Sequence, residues 1–140
     1  MKRERRKYIF LSVVISLFLI CNPGSLIAQT PEGKIIKMGV SATLTGPASY
    51  LGWHDKNGTT LAAEEINERG GIHLKGEKHK LELEFFDNET KPAKAVEGMR
   101  MFAEKGIYVC AGPQLTPLAY AVMKFNEELK VLFGCYSTTP

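Results

Sequence analysis

Hydrophobic positions along this chain alternate between runs of strand-like and helix-like period. Ile35 to Ser41 is a short apolar run, and Thr43-Leu44-Thr45-Gly46-Pro47 ends it, which predicts a strand followed by a loop. Gly58 to Arg69 carries Leu61, Ala62 and Ile66 at helical spacing with Glu64, Glu65 and Glu68 between them, and Gly70-Gly71 supplies the stop. From Leu81 to Asp87 the apolar Leu81, Leu83 and Phe85 alternate with Glu82 and Glu84, the pattern of a strand with one wet face and hence of a sheet edge. Lys91 to Glu104 places Ala95, Met99 and Phe102 on one side of a second helix, closed by Gly106 before a third apolar run from Ile107 to Ala111. Leu115, Leu118, Val122, Phe125 and Leu129 step by three and four along a single third helix. Val131 to Cys135, continuous in apolar character, is a fourth strand expected to be covered on both faces.

Strands alternate with helices throughout, with no internal repeat and no low-complexity tract. Right-handed crossovers then wind the chain into an α/β fold, a doubly wound parallel sheet with strand order 2-1-3-4. In such sheets a ligand sits beyond the carboxyl ends of the strands, where the winding reverses, here between the first and third strands. The loops that meet there run from Ala42 to Trp53, from Gly112 to Thr116 and from Tyr136 to Pro140.

The first 28 residues change the reading of charge. A basic stretch from Lys2 to Lys7, an apolar run from Tyr8 to Cys21 and the breaker Asn22-Pro23-Gly24 read as an export signal, with cleavage after Ala28 and a linker over 29–34. The apolar run is shorter than the roughly 20 residues of a bilayer-spanning helix. Ile20 stands where lipid attachment at Cys21 would want a small residue, so lipoprotein anchoring is not expected. The whole chain has a formal charge of +3, but without residues 1–28 it has 13 basic against 14 acidic residues, net −1. That balance removes the basic face that nucleic-acid binding needs, and no nucleic-acid partner is expected.

Export permits oxidation of Cys110 and Cys135. Side-by-side parallel strands seldom offer disulfide geometry, so two buried free thiols are expected. Catalytic signatures are missing. Gly71 to Lys78 approaches a phosphate-binding loop, but Glu77 stands where its lysine belongs and the segment follows a helix instead of preceding one. His54, His73 and His79 lack zinc-ligand spacing and read as surface residues. Neither enzyme activity, nor a metal, nor a cofactor is expected. What remains is hydroxyl chemistry at strand ends. Thr116 lies in the first turn of the third helix, where unpaired amides and the helix dipole favour an anion, and it reads equally well as a capping residue. Ser137, Thr138 and Thr139 follow the fourth strand as ligand groups or as a solvated turn, and Asp87-Asn88 reads as a turn and helix start.

Ile36-Lys37-Met38-Gly39-Val40, Leu44-Thr45-Gly46-Pro47, Gly52, Gly58, Ala62-Ala63 and Ile66 to Ile72 together resemble the opening of the periplasmic leucine/isoleucine/valine-binding proteins. The likeness continues through Phe85-Phe86-Asp87-Asn88 and Pro92 to Gly112 to Thr116 and Ser137 to Pro140, and so covers residues 35 to 140. The resemblance implies a type I periplasmic binding fold of two α/β lobes closing over an amino acid, with 35–140 as the first part of the N-terminal lobe. It implies the extracytoplasmic solute-binding component of an ABC importer for branched-chain amino acids or similar carboxylates or amides, a periplasmic monomer whose partner is a membrane permease. It also implies ligand contacts at Thr116, Ser137 and Thr138, and an aromatic contact from Tyr50 or Trp53 in the loop after the first strand. The alternative is the ligand-binding ectodomain of a sensor or receptor that shares the fold.

Overall fold

The computed structural model describes residues 34–136. The export signal over 1–28 with Cys21, all of the linker but Lys34, and Ser137 and Thr138 lie outside the described residues. The chain forms β1 (Ile36–Ala42), α1 (Ser49–Glu68), β2 (Ile72–Leu74), β3 (Glu77–His79), β4 (Leu81–Asp87), α2 (Pro92–Glu104), β5 (Val109–Ala111), α3 (Thr116–Met123), α4 (Asn126–Leu129) and β6 (Leu132–Gly134).

Four of these strands make one parallel sheet in the order β4-β1-β5-β6, the order expected from the pattern. β1 pairs with β4 from Ile36 opposite Leu81 to Ala42 opposite Asp87, and with β5 through Gly39 and Val40. Because side chains alternate across a strand, the two faces carry different helices. On one face α2 and α3 enclose a core of Ala95, Met99, Phe102, Ile107, Leu118 and Val122. Phe102 lies directly over Gly39, where an added Cβ would come within 2.8 Å of its ring. On the other face α1 covers β4 and β1.

The first helix begins nine residues before its expected start, at Ser49 instead of Gly58. Gly52 fell within the expected loop, yet it is helical, and a close approach demands glycine there: a Cβ would stand 2.0 Å from the Thr43 carbonyl oxygen. Tyr50 and Trp53 consequently ride on a helix, not on a loop. The face expected to pack also shifts. Ala63 and Gly52 are the buried positions of α1, while Leu61 is 66% exposed. Ala62 and Ile66 border an open apolar groove of about 360 Å³ that they share with Ile36, Met38, Leu83 and Val109.

Three more features depart from the one-dimensional pattern. The segment from Ile72 to His79 is an antiparallel hairpin, turned by Lys75 (φ 52°) and Gly76 (φ 85°), both in the left-handed region that two-residue hairpin turns require. Its three-residue strands are too short to show alternation. His79, expected at the surface, is buried there with Nδ1 2.9 Å from the Lys34 carbonyl. The third helix breaks at Phe125, whose amide bonds back three residues to Val122, and this tighter turn lets Leu129 reach the core. Finally, β6 is not covered on both faces. Leu132 is 68% exposed, because α1 lies over β4 and β1 and stops short of β5 and β6. Both cysteines are free thiols, but only Cys110 is buried and Cys135 is exposed, for the same reason.

Candidate functional site

The carboxyl ends of β1 and β5 adjoin where the strand order reverses, and the end of β4 organises the loop between β1 and α1. The Asp87 carboxylate accepts hydrogen bonds from the Leu44 amide (2.9 Å), the Thr45 amide (3.2 Å), the Thr45 hydroxyl (2.7 Å) and the Glu89 amide (2.9 Å). The neighbouring Asn88 side chain is fully buried. It accepts from the Thr43 hydroxyl at 2.7 Å and from the Thr90 amide at 3.1 Å, and donates to the Ser41 hydroxyl at 3.3 Å. Sequence reasoning treated these two residues as a turn, and a turn they do make; it missed that they grip a loop more than 40 positions earlier. An Asp-Asn pair at the end of an edge strand was the available signal. Its partners came only from the parallel pairing of β4 with β1.

Partial burial works against the charged form of Asp87, but the four hydrogen bonds outweigh it and hold the carboxyl below its ordinary value of 3.8. A depressed folded value means that the stabilisation is fully present above that ordinary value and is lost as pH falls through the lower, folded one. Asp87→Asn is therefore expected to destabilise the protein by about 1–3 kcal/mol at neutral pH and to flatten the loss of stability below pH 3.8. Urea midpoints measured from pH 7 down to pH 3 check this, and an unchanged acid limb in the variant would contradict it.

The turn after β5 presses on the same place. Gly112 (φ 81°) leads through a cis peptide bond to Pro113, and a Cβ at Gly112 would meet the Ser41 carbonyl oxygen at 2.4 Å. The Gly112 amide donates to the Gly134 carbonyl at 2.9 Å, and the Cys135 thiol donates to the Pro113 carbonyl at 3.3 Å. These contacts draw the ends of β5 and β6 together in front of α3. Thr116 is the first residue of α3 after Leu115, so it sits among the amides that a helix start leaves without intrahelical partners. The Cys110 thiol beneath is pushed up to about 12 by burial, against a hydrogen bond with the Ser41 backbone. It packs as a buried side chain of the core beside Met99 and Ile107 in the same cluster.

The two aromatic candidates point to different surroundings. Tyr50 is 65% exposed near the start of α1. Trp53 is half-exposed and leans toward β4, with the Lys56 ammonium 4.9 Å from its ring centre and 5.6 Å from that of Phe85. On the opposite flank of α1, Asp55 accepts a hydrogen bond from the Tyr136 hydroxyl just beyond β6. Sequence reasoning did not single out Asp55, because the helix that carries it was not foreseen there. Burial raises the Asp55 carboxyl above its ordinary range, against the Tyr136 bond and His54, and burial likewise raises the Tyr136 phenol. Among the described residues no group of three or more histidine, cysteine or acidic side chains could hold a metal ion. No described helix is long and apolar enough to cross a membrane.

Residues 35–140 match the periplasmic binding protein family. Over 97 residues the chain is 37% identical to the Leu/Ile/Val-binding protein BraC3 of Rhizobium johnstonii, covering 69% of this chain and 25% of that protein. A Leu/Ile/Val-binding protein homolog of Brucella melitensis matches to the same extent. The chain thus spans about a quarter of the length of these curated relatives. Its fold superposes on the branched-chain amino acid transporter substrate-binding protein LivJ of Streptococcus pneumoniae, solved with isoleucine, with a TM-score of 0.68 at 24% identity over 76% of this chain and 30% of that one. A type 1 periplasmic binding protein of Bordetella pertussis superposes at 0.60, with 28% identity over 71% of this chain and 26% of that one. The parallel sheet, its point of reversal and these matches agree, and the chain belongs to the periplasmic binding protein family, with the type I fold.

Proposed function

We propose that this polypeptide is part of the extracytoplasmic solute-binding component of an ABC importer, and that its ligand is a branched-chain amino acid or a similar small carboxylate or amide. The observation that carries the reading is the start of α3. It stands at the carboxyl end of β5, beside the point where the sheet reverses, and Thr116 occupies its first position. A helix start offers amide donors and a partial positive charge, which suit a ligand carboxylate. Ser137 and Thr138, directly after β6, would add hydroxyl contacts, and Tyr50 or Trp53 an apolar one. Binding without chemistry needs no more than such groups. The names of the Rhizobium and Brucella relatives support the ligand class. In this reading the protein is exported to the periplasm by residues 1–28 and delivers its ligand, as a monomer, to a membrane permease.

Calorimetric titration of the natively secreted product with L-leucine, L-isoleucine and L-valine tests the proposal. Binding of at least one is expected. Thr116→Ala is expected to weaken it roughly three- to tenfold, the worth of one hydrogen bond, and Thr116→Ser to restore it. Failure of the unaltered protein to bind any of the three amino acids would sink the ligand assignment.

A further inference from the structure

β4 is the outermost strand of the sheet and pairs on one side, with β1. The Ile36 amide donates to the Lys80 carbonyl at 2.9 Å, so the peptide groups of Lys80, Glu82 and Glu84 turn toward β1, and those of Leu81, Leu83 and Phe85 turn away by alternation. At Leu81 a side-chain amide satisfies the outward groups. Asn67 Nδ2 donates to the Leu81 carbonyl and the Leu81 amide donates to Asn67 Oδ1, both at 2.8 Å. The Asn67 amide thus stands where the peptide group of a further strand would lie. Leu83 and Phe85 present the same outward groups with no such partner among the described residues.

Beside these groups lies a cleft roofed by α1. The helix runs back along β4: Asn67, near its end, reaches Leu81, and Lys56, nearer its start, stands 5.6 Å from the centre of the Phe85 ring. Between helix and strand opens a volume of about 300 Å³ bordered by Thr60, Ala63, Glu64, Leu83 and Phe85. Sheet edges are commonly blunted by a bulge or a proline, but β4 stays in unbroken register with β1 from Leu81 to Asp87. Lys80 pairs with Glu82 at 3.3 Å, which leaves Glu64 on the cleft wall with no ion pair among the described residues. A strand laid along this edge is therefore favoured when it brings a basic side chain. A second copy of the chain fits less well. The antiparallel register that joins Leu83 of one copy to Phe85 of the other sets Glu84 directly opposite its own counterpart, and like charges so placed are unfavourable.

We propose that the β4 edge at Leu83 and Phe85 is a docking site for an extended peptide segment, which adds to the sheet as a further strand and directs a basic side chain at Glu64. The probe is a short fluorescent peptide of alternating valine and threonine with a central lysine, titrated into the native full-length product and followed by anisotropy. It binds with a dissociation constant below about 1 mM. Strand addition uses alternate amides. N-methylation of one alternate set of the peptide's amides therefore weakens binding roughly tenfold or more, and methylation of the other set leaves it within about twofold. Leu83→Pro removes an outward amide and none of the β1 ladder, and it abolishes binding. Glu64→Lys, on the exposed surface of α1, lowers the affinity by about two- to fivefold, and a peptide with glutamate in place of the lysine restores it. The methylated peptides decide the matter where Leu83→Pro does not fold. Absence of binding up to about 1 mM overturns the proposal, as does equal loss from both methylated sets, undiminished binding to folded Leu83→Pro, or an unmoved affinity in Glu64→Lys. Concentration-dependent self-association that Leu83→Pro removes would assign the edge to a second copy of the chain and overturn it as well.

Discussion

Replacing Phe102 with alanine is expected to cost about 3–5 kcal/mol, enough to leave much of the lobe unfolded at room temperature, since whole domains have only about 5–15 kcal/mol in hand. Phe102 is fully buried. Its ring stands edge-on to Phe86, with centres 6.4 Å apart, and lies over Gly39 of β1. One side chain therefore joins α2 to both β1 and β4, and its removal leaves a cavity that those three elements cannot close without breaking strand pairing. Urea unfolding followed by far-ultraviolet circular dichroism should show a lower midpoint with an unchanged slope. Leu132→Ala is the control. That residue is mostly exposed, and its truncation is expected to change stability by less than about 0.5 kcal/mol. A Phe102 variant within about 1 kcal/mol of the unaltered protein would mean that the α2 face is not the principal core.

Two glycines of α1 are expected to respond in opposite directions to the same substitution. At Gly52 an alanine Cβ would stand 2.0 Å from the Thr43 carbonyl oxygen and 2.3 Å from its carbon. Both are backbone atoms, so the helix or the loop must move, at a cost of about 1–3 kcal/mol or more. Thr43 is also the residue whose hydroxyl bonds Asn88, so the disturbance enters the network that holds the β1 loop. Ligand affinity should fall together with stability. At Gly58 a Cβ meets nothing within 4 Å. Gly58→Ala is expected to stabilise by about 0.5–1 kcal/mol through helix propensity alone, with affinity unchanged. Thermal melts and leucine titrations of the two variants, side by side, check both signs. Equal effects would show that neither glycine is set by a close approach.

Why one glycine mattered and its neighbour did not was not legible in one dimension, and the same holds for much of the candidate site. The expected loop ran from Ala42 to Trp53 and the expected first helix began only at Gly58, which left Tyr50 and Trp53 on a loop. The single helix from Leu115 to Leu129 was a fair reading of its period, but the pattern carried no mark of the tight turn at Phe125. Asp87 and Asn88 looked like ordinary turn residues because their partners, Leu44, Thr45, Thr43 and Ser41, lie more than 40 positions away. Asp55 stood out in no pattern at all, because its partner, Tyr136, lies beyond the last strand of the sheet.

What the sequence by itself determined was the winding. Alternating strand and helix periods, with glycine stops at Gly70-Gly71 and Gly106, dictate a parallel sheet, and the wet alternation of Leu81 to Asp87 assigns that strand to an edge. The order β4-β1-β5-β6 follows from those local signals together with the handedness of crossovers. Tertiary structure alone decided which strand ends, loops and helix flanks meet at the point of reversal, and so which distant groups satisfy one another, as Asp87 does the Leu44 and Thr45 amides. The physical reason is range. Periodicity records which face of an element avoids water, a property each segment carries in itself. Hydrogen bonds and close approaches depend on positions set to within a fraction of an ångström by residues distant along the chain, and only the packed sheet brings those residues together.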